Sequence, residues 1–243
     1  MQKYKKESDH SYALGTELTL ELLLSHPEDT VSVYVHSRQK DNEIYQRIMS
    51  LCQKNRIEVI RSDKAFNIVN AKENCYIMGV FRKFTNDIDF RQNHVVLVNP
   101  GNMGNAGTIL RTCAGFGIND IAIISPRIDI YDPKTVRASM RAFFTVRFSY
   151  FSSFEEYLKK AEDRDIFCFM LDGKVNLQDA QISDKKYSLV FGNEATGLPA
   201  EYHNYGTSVF IEQLNTVDSL NLDNAVSIAV YQFVNMKPNR SRS

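Results

Sequence analysis

Asn105, Arg111, Glu194, Ser219 and Asn221 are polar side chains set in glycine-bearing or helix-opening segments, where they could bind or polarise a ligand. The first two lie in Asn99-Pro-Gly-Asn-Met-Gly-Asn-Ala-Gly-Thr-Ile-Leu-Arg-Thr-Cys-Ala-Gly-Phe-Gly117, a glycine-rich turn leading from a strand end into a helix. Ligands of open α/β sheets bind at such places. No Lys-Ser/Thr follows the glycines, so this is not a Walker loop, and Gly-x-x-Gly-x-x-Gly misses the dinucleotide fingerprint. Glycines serve a structural turn as readily as a ligand loop, and both readings stand. Arg111 occupies a helix of small and apolar residues where packing favours Leu or Ala; a solvated arginine is the bland alternative.

Leu189-Val-Phe-Gly-Asn-Glu-Ala-Thr-Gly-Leu-Pro199 repeats the format of strand, glycine, polar residues and helix start. Gly192 and Gly197 permit close backbone approach to a flat ligand, and Glu194 puts a carboxylate at the strand's carboxyl end. An exposed glutamate on a capped loop is the other reading. The third stretch is Ile211-Glu-Gln-Leu-Asn-Thr-Val-Asp-Ser-Leu-Asn-Leu222, with Ser219 a candidate N-cap. Asn221 has donors and acceptors to satisfy at the start of a buried helix, or simply caps it.

Periodicity outlines the helices and strands around these residues. Helices are predicted over 16–25 and 42–55, with strands at 31–36, 57–60 and 75–81, forming a small α/β unit over residues 1–84. A polar linker, 85–93, follows. Residues 94–243 then alternate helices with short, nearly continuous apolar runs such as Val95–Val98 and Ile121–Ile124, the pattern of strands buried on both faces of a parallel sheet. Helices are expected over 106–116, 133–144, 153–161 and 219–236, and strands at 166–171, 188–191 and 209–211. The last helix is apolar nearly all round and is expected to be buried. Nine of the 11 glycines fall in this second region, which places the constrained backbone, and with it the chemistry, there.

The chain of 243 residues is 43% hydrophobic and 24% charged, enough apolar content for a packed core. No apolar run approaches the roughly 20 residues of a membrane span, and the polar N-terminus does not resemble a signal peptide. Cys52, Cys75, Cys113 and Cys168 are scattered without close pairs and read as reduced, buried thiols, with no metal site, in a cytoplasmic protein. Net charge is zero but segregated: residues 94–150 carry 6 basic against 3 acidic side chains, and residues 151–236 carry 6 against 13. The basic excess coincides with the first constellation, which suits a polyanionic partner there.

In order and spacing the three constellations resemble the signature motifs of the SpoU/TrmH family of RNA ribose 2′-O-methyltransferases, in the SPOUT superfamily. Asn105, Gly107 and Arg111 match the first motif; Gly192, Glu194 and Gly197 the second; Ser219, Leu220 and Asn221 the third. Val136-Arg-Ala-Ser139 resembles a segment between the first two. The resemblance covers about 95–236, and residues 1–83 are loosely similar to the RNA-recruiting domain of many members.

The resemblance implies an α/β fold with a C-terminal parallel-sheet SPOUT domain, a deep trefoil knot and S-adenosylmethionine as methyl donor. It implies that Gly192, Ile211 and Leu220 line the cofactor through main-chain contacts, with Asn193, Glu194, Gly197 and Asn221 around it. Arg111 is then the residue acting on the ribose 2′-hydroxyl, supported by Asn105, Glu194, Ser219 and Asn221. A guanidinium stays charged at neutral pH, so orientation and charge stabilisation suit it better than proton abstraction. Arg127, Lys134, Arg137, Arg141 and Arg147 are expected to face RNA, unless they form an ordinary solvated surface. A homodimer is implied, as is an RNA substrate: ribosomal RNA, or alternatively transfer RNA. Glu212, Gln213, Asp223, Asn224 and Arg141 depart from the common family pattern. A catalytically silent RNA binder and a Rossmann-type nucleotide enzyme are the competing readings; intact Arg111, Glu194 and Asn221 oppose the first, and the absent fingerprint opposes the second.

Overall fold

The computed structural model describes residues 1–69, 74–126, 128–214 and 218–238, and the chain divides into two compact units. The first comprises Met1–Thr85 with Asp129–Thr145, and the second Asn86–Ile128 with Val146–Ser243.

The first unit begins with β1 (His10–Leu14), α1 (Thr16–Ser25), β2 (Thr30–Val35), α2 (Glu43–Asn55), β3 (Glu58–Arg61), α3 (Asp63–Ile68) and β4 (Ile77–Arg82). Its sheet runs β1-β4-β2-β3, with β4 antiparallel to both neighbours and β2 parallel to β3. α2 starts at Asn42, whose side chain accepts the Tyr45 N–H at 2.9 Å. Ile48 and Cys52, one turn apart on α2, pack into a core with Leu23, Val33, Val35 and Ile77.

The second unit follows with β5 (His94–Val98), α4 (Met103–Gly115) and β6 (Asp120–Ile124). The chain then gives α5 (Pro133–Ser139) and a 3-10 turn, Met140–Phe144, to the first unit. It continues through β7 (Arg147–Phe151), α6 (Phe154–Lys160), β8 (Arg164–Phe169), β9 (Val175–Asn176), β10 (Lys186–Phe191), β11 (Thr207–Phe210) and α7 (Leu222–Asn235). The seven strands pair in parallel in the order β7-β6-β5-β10-β8-β11-β9. Every residue of β5 and β6 is buried, as their unbroken apolar runs require. All four cysteines are free and buried, and burial pushes their thiols up, to about 11 for Cys52 and Cys75 and about 12 for Cys113 and Cys168. No helix among the described residues is long and apolar enough to cross a membrane.

The expected division of the chain is corrected in two places. Asp129–Thr145 packs with the first unit because its aromatic side chains complete that core: Phe143 and Phe144 lie 5.9 and 5.7 Å from Phe81, ring to ring, and the Tyr131 hydroxyl donates to the Phe84 carbonyl. The helix expected over 133–144 breaks at Met140, whose φ of 53° lies in the left-handed region and turns the chain into the 3-10 segment. The stretch 85–93 is part of the second unit from Asn86 onward. Ile88 is buried in its core, its N–H bonded to Ser149 Oγ, and the Asp89 N–H donates to Asp120 Oδ1 at 2.7 Å.

Polar groups cross the amino ends of the strands in one register row, Arg147–Asp120–His94–Ser188. Arg147 forms a two-pronged pair with buried Asp120, at 2.7 and 2.6 Å. His94, fully buried, faces the Asp89 carbonyl through Nε2 at 3.0 Å, so that nitrogen carries the proton and Nδ1 accepts from the Tyr157 hydroxyl at 2.8 Å. Tyr157 in turn meets Ser188 Oγ at 2.5 Å and Arg164 Nη1 at 3.3 Å. Desolvation, with Arg164 adding to it, pushes His94 down to about 4 from 6.5. Between those values the unfolded chain binds more protons, so stability falls as pH falls. The full 6.5-to-4 interval corresponds to about 3 kcal/mol from this residue. Urea titrations at pH 7 and 4.5 are expected to show most of that loss in the native sequence and a shallower fall in His94→Asn.

Candidate active site

β5 and β10 are neighbours, so the loops that leave their carboxyl ends meet, although about 90 residues separate them. After β5 the chain turns at Asn99, whose φ of 51° is a left-handed conformation that asparagine tolerates. Asn102 then caps α4, its Oδ1 accepting the N–H groups of Gly104 and Asn105 at 2.8 and 3.1 Å. After β10, residues 193–197 close on themselves: Asn193 N–H donates to the Gly197 carbonyl and Gly197 N–H to the Asn193 carbonyl. A Cβ on Gly192 would lie 2.1 Å from the Gly197 carbonyl carbon, so this glycine is required by the loop's own backbone. Gly197 supplies a φ of 65°.

Glu194 joins the two loops. Its Oε2 accepts the Gly101 N–H at 3.0 Å, and its Oε1 accepts from the Asn102 N–H at 3.1 Å and from Asn105 Nδ2 at 3.2 Å. Burial works to raise the Glu194 pKa, but these donors together outweigh it and the carboxyl is held below its ordinary value. Asn193 Nδ2 adds a bond to the Asn99 carbonyl at 2.8 Å. The third motif reaches the same point: Asn105 Nδ2 lies 3.2 Å from Asn221 Oδ1, which also accepts the Leu222 N–H at 2.9 Å. Asn221, and not Ser219, is thus the cap of α7. Thr112 and Ser227 meet at 3.1 Å between α4 and α7.

A cleft of about 360 Å³ opens at the carboxyl ends of β10, β8 and β11. Phe169 and Phe191 stack 4.4 Å apart among its lining residues. Gly192, Asn193, Gly197, Ile211, Ser219 and Leu220 line it, as does Glu194. Asn221 stands outside the lining and reaches the site through Asn105. Arg111 also stands outside it, exposed on α4, with no hydrogen-bond or ion-pair partner among the described residues. The structure therefore brings Asn105, Glu194 and Asn221 into one network and leaves Arg111 free beside it.

The basic residues divide differently from the expectation. Lys134 and Arg141 are exposed and Arg137 half-buried, all in the first unit, while Arg127 lies outside the described residues. Arg147 is engaged by Asp120 in a two-pronged ion pair. Asn102, the Gly101 N–H and the Phe169–Phe191 pair are site components that motif reading missed. Only Asn102 carried a signal, as a capping residue type ahead of a helix.

The sequence profile of the SpoU rRNA Methylase family matches residues 92–231, more than half of the chain. The chain belongs to the SpoU rRNA Methylase family. As a SpoU methylase it is an RNA 2′-O-methyltransferase that uses S-adenosylmethionine. A Listeria innocua protein provisionally named tRNA (cytidine(34)-2′-O)-methyltransferase is 33% identical over 145 residues, 58% of this chain and 85% of its own. The 23S rRNA (adenosine(1067)-2′-O)-methyltransferase of Streptomyces laurentii is 25% identical over 207 residues, 80% of this chain and 76% of its own. Among solved structures, the SpoU methyltransferase AviRb of Streptomyces viridochromogenes superposes with a TM-score of 0.79 at 20% identity, covering 93% of this chain and 89% of that one. That likeness concerns the fold.

The cleft of this SpoU methylase fits the cofactor. Its volume falls in the range of small-ligand sites, about 300–1,000 Å³, and its walls combine strand-end backbone with apolar side chains such as Phe191, Val209, Ile211 and Leu220. Glu194 holds the wall together, which makes Glu194→Gln informative: one amide nitrogen would face a backbone N–H in place of an acceptor. S-adenosylhomocysteine affinity is expected to fall about tenfold or more, measured by calorimetry, because hydrogen bonds to a charged acceptor contribute about 1.5–3 kcal/mol each.

Proposed function

We propose that the protein methylates a ribose 2′-hydroxyl of ribosomal RNA in the cytoplasm, as a homodimer with a trefoil knot in its C-terminal part. The observation that carries the choice of RNA is one long alignment to a ribosomal RNA enzyme. The ribosomal RNA enzyme of Streptomyces laurentii aligns over 80% of this chain, into the first unit, whereas the Listeria tRNA relative aligns over 58%. The first unit is the proposed recruiting domain, with Lys134, Arg137 and Arg141 joining it as RNA contacts. Transfer RNA is the second reading, favoured by the higher identity of the Listeria protein.

Bound in the cleft, S-adenosylmethionine supplies an electrophilic methyl group. Arg111 holds the phosphate next to the target nucleotide, orients the 2′-hydroxyl and stabilises the negative charge that develops as the hydroxyl proton leaves to phosphate or water. Glu194 acts by positioning: its oxygens already accept two backbone N–H groups and an amide. Asn105 and Asn221 hold the first and third motifs to it, with Ser219 on the cleft wall beside them.

The dimer reading is supported by apolar surface on α7 and at Phe116, just past the end of α4. Ile228, Tyr231 and Val234 remain 42%, 58% and 41% exposed, and Phe116 packs on Tyr231 at 5.7 Å between ring centroids. Sedimentation decides that point. Ribose methylation mapped in cells with and without the gene tests the substrate: a methyl lost from ribosomal RNA supports the proposal, and one lost from transfer RNA establishes the second reading.

A further inference from the structure

Among the described residues, the cleft has two charged side chains in its lining, Glu194 and Asp172. Glu194 is engaged by the loop after β5, as described above. Asp172 is not. It follows β8, its side chain is 74% exposed, and among the described residues a single side chain holds it: His203 Nε2, from the 3-10 turn Ala200–Asn204, lies 3.1 Å from Oδ2. Since the carboxylate can only accept, Nε2 is the donor. His203 Nδ1 is buried and has no partner among the described residues, so Asp172 is the one polar anchor of that ring. The imidazole therefore fixes one carboxylate oxygen. Oδ1 has no hydrogen-bond partner from another residue among the described residues.

The position of Asp172 in the cleft indicates what it takes. β8 pairs directly and in parallel with β10, whose carboxyl end carries the Gly192 loop. When a nucleoside lies across the carboxyl ends of two adjacent parallel strands, a glycine loop on one strand and an acidic side chain at the end of its neighbour divide the work: the loop admits the ligand and the carboxylate accepts from the ribose hydroxyls. A cis-diol offers two donors to an acceptor that has lone pairs left on both oxygens.

We infer that Asp172, oriented by His203, accepts hydrogen bonds from the ribose diol of the nucleoside bound in the cleft, and so contributes to selection of the methyl donor. The inference rests on the S-adenosylmethionine reading of the cleft. Asp172 is the ligand-contacting residue, and His203 is a positioning residue that acts through it.

Calorimetry with two probes tests this: S-adenosylhomocysteine, and 5′-methylthioadenosine, which keeps the ribose but lacks the amino-acid part. Asp172→Asn is expected to weaken both by a similar factor, about tenfold or more, the size of a hydrogen bond to a charged acceptor. His203→Ala should weaken both by a smaller factor and have no further effect in the Asp172→Asn background, a non-additivity that a general loosening of the fold would not produce. His203→Gln, which keeps a donor, should recover part of the loss. Weakened S-adenosylhomocysteine with unchanged 5′-methylthioadenosine would assign Asp172 to the ammonium group and overturn the inference. Unchanged affinity for both would overturn it outright while leaving the cofactor site intact, whereas a native protein that bound neither probe would refute the cofactor reading as well.

Discussion

Arg111→Ala is expected to lower turnover by about 10²–10³-fold while leaving S-adenosylhomocysteine affinity unchanged. The separation of the two effects follows from the geometry. Arg111 lies outside the cleft lining and has no polar partner among the described residues, so its removal leaves no buried group unpaired. It stands six residues beyond Asn105 on α4, about 9 Å along the helix axis, and Asn105 is tied to Glu194. The network thus fixes the helix that carries the arginine without touching the arginine. Arg111→Lys keeps the charge but not the planar fork that grips a phosphate by two N–H groups, and its turnover is expected close to that of Arg111→Ala. Single-turnover methyl transfer at saturating cofactor measures both variants. Near-native rates for the lysine variant would remove the fork from the mechanism, and near-native rates for the alanine variant would make Arg111 an ordinary solvated side chain.

Gly192→Ala is expected to abolish cofactor binding, with S-adenosylhomocysteine affinity reduced at least about 100-fold and the protein destabilised by about 3 kcal/mol, the upper end of the usual cost of overpacking. The added methyl would meet the Gly197 carbonyl carbon at 2.1 Å, its oxygen at 2.3 Å and the Leu198 nitrogen at 2.3 Å. All three are backbone atoms, so the loop cannot yield by changing a rotamer and must open. Gly197→Ala is the matched control: nothing lies within 4 Å of its Cβ, and the cost is confined to the left-handed φ of 65°, about 1–2 kcal/mol. Calorimetry and thermal unfolding on the pair separate a closed loop from simple backbone preference. Equal effects of the two substitutions would count against the loop closure.

Two details of the site show why motif reading and geometry differ. Gly192 was legible as a glycine that something must approach closely, and a flat ligand is one such thing; the approaching group in the structure is the loop's own Gly197. Ser219 was legible as a capping residue type, yet the cap is Asn221, two residues on, where one Oδ1 accepts both the Leu222 N–H and Asn105 Nδ2. Residue type announces the need for a close approach or a cap. It does not name the partner.

The order and spacing of the three motifs carried the family resemblance, while apolar runs and glycine punctuation, which report burial and turning of the local backbone, announced the parallel character of the large sheet and the places where the motifs leave strands. Three-dimensional packing was needed to show that Glu194 closes on Gly101, Asn102 and Asn105, that Asp129–Thr145 completes the first core through Phe143 and Phe144, and that Arg147 pairs with Asp120. Each of these depends on which strands become neighbours. The adjacency of β5 and β10 brings a carboxylate to donors about 90 residues away, a matter of sheet order that no local periodicity encodes.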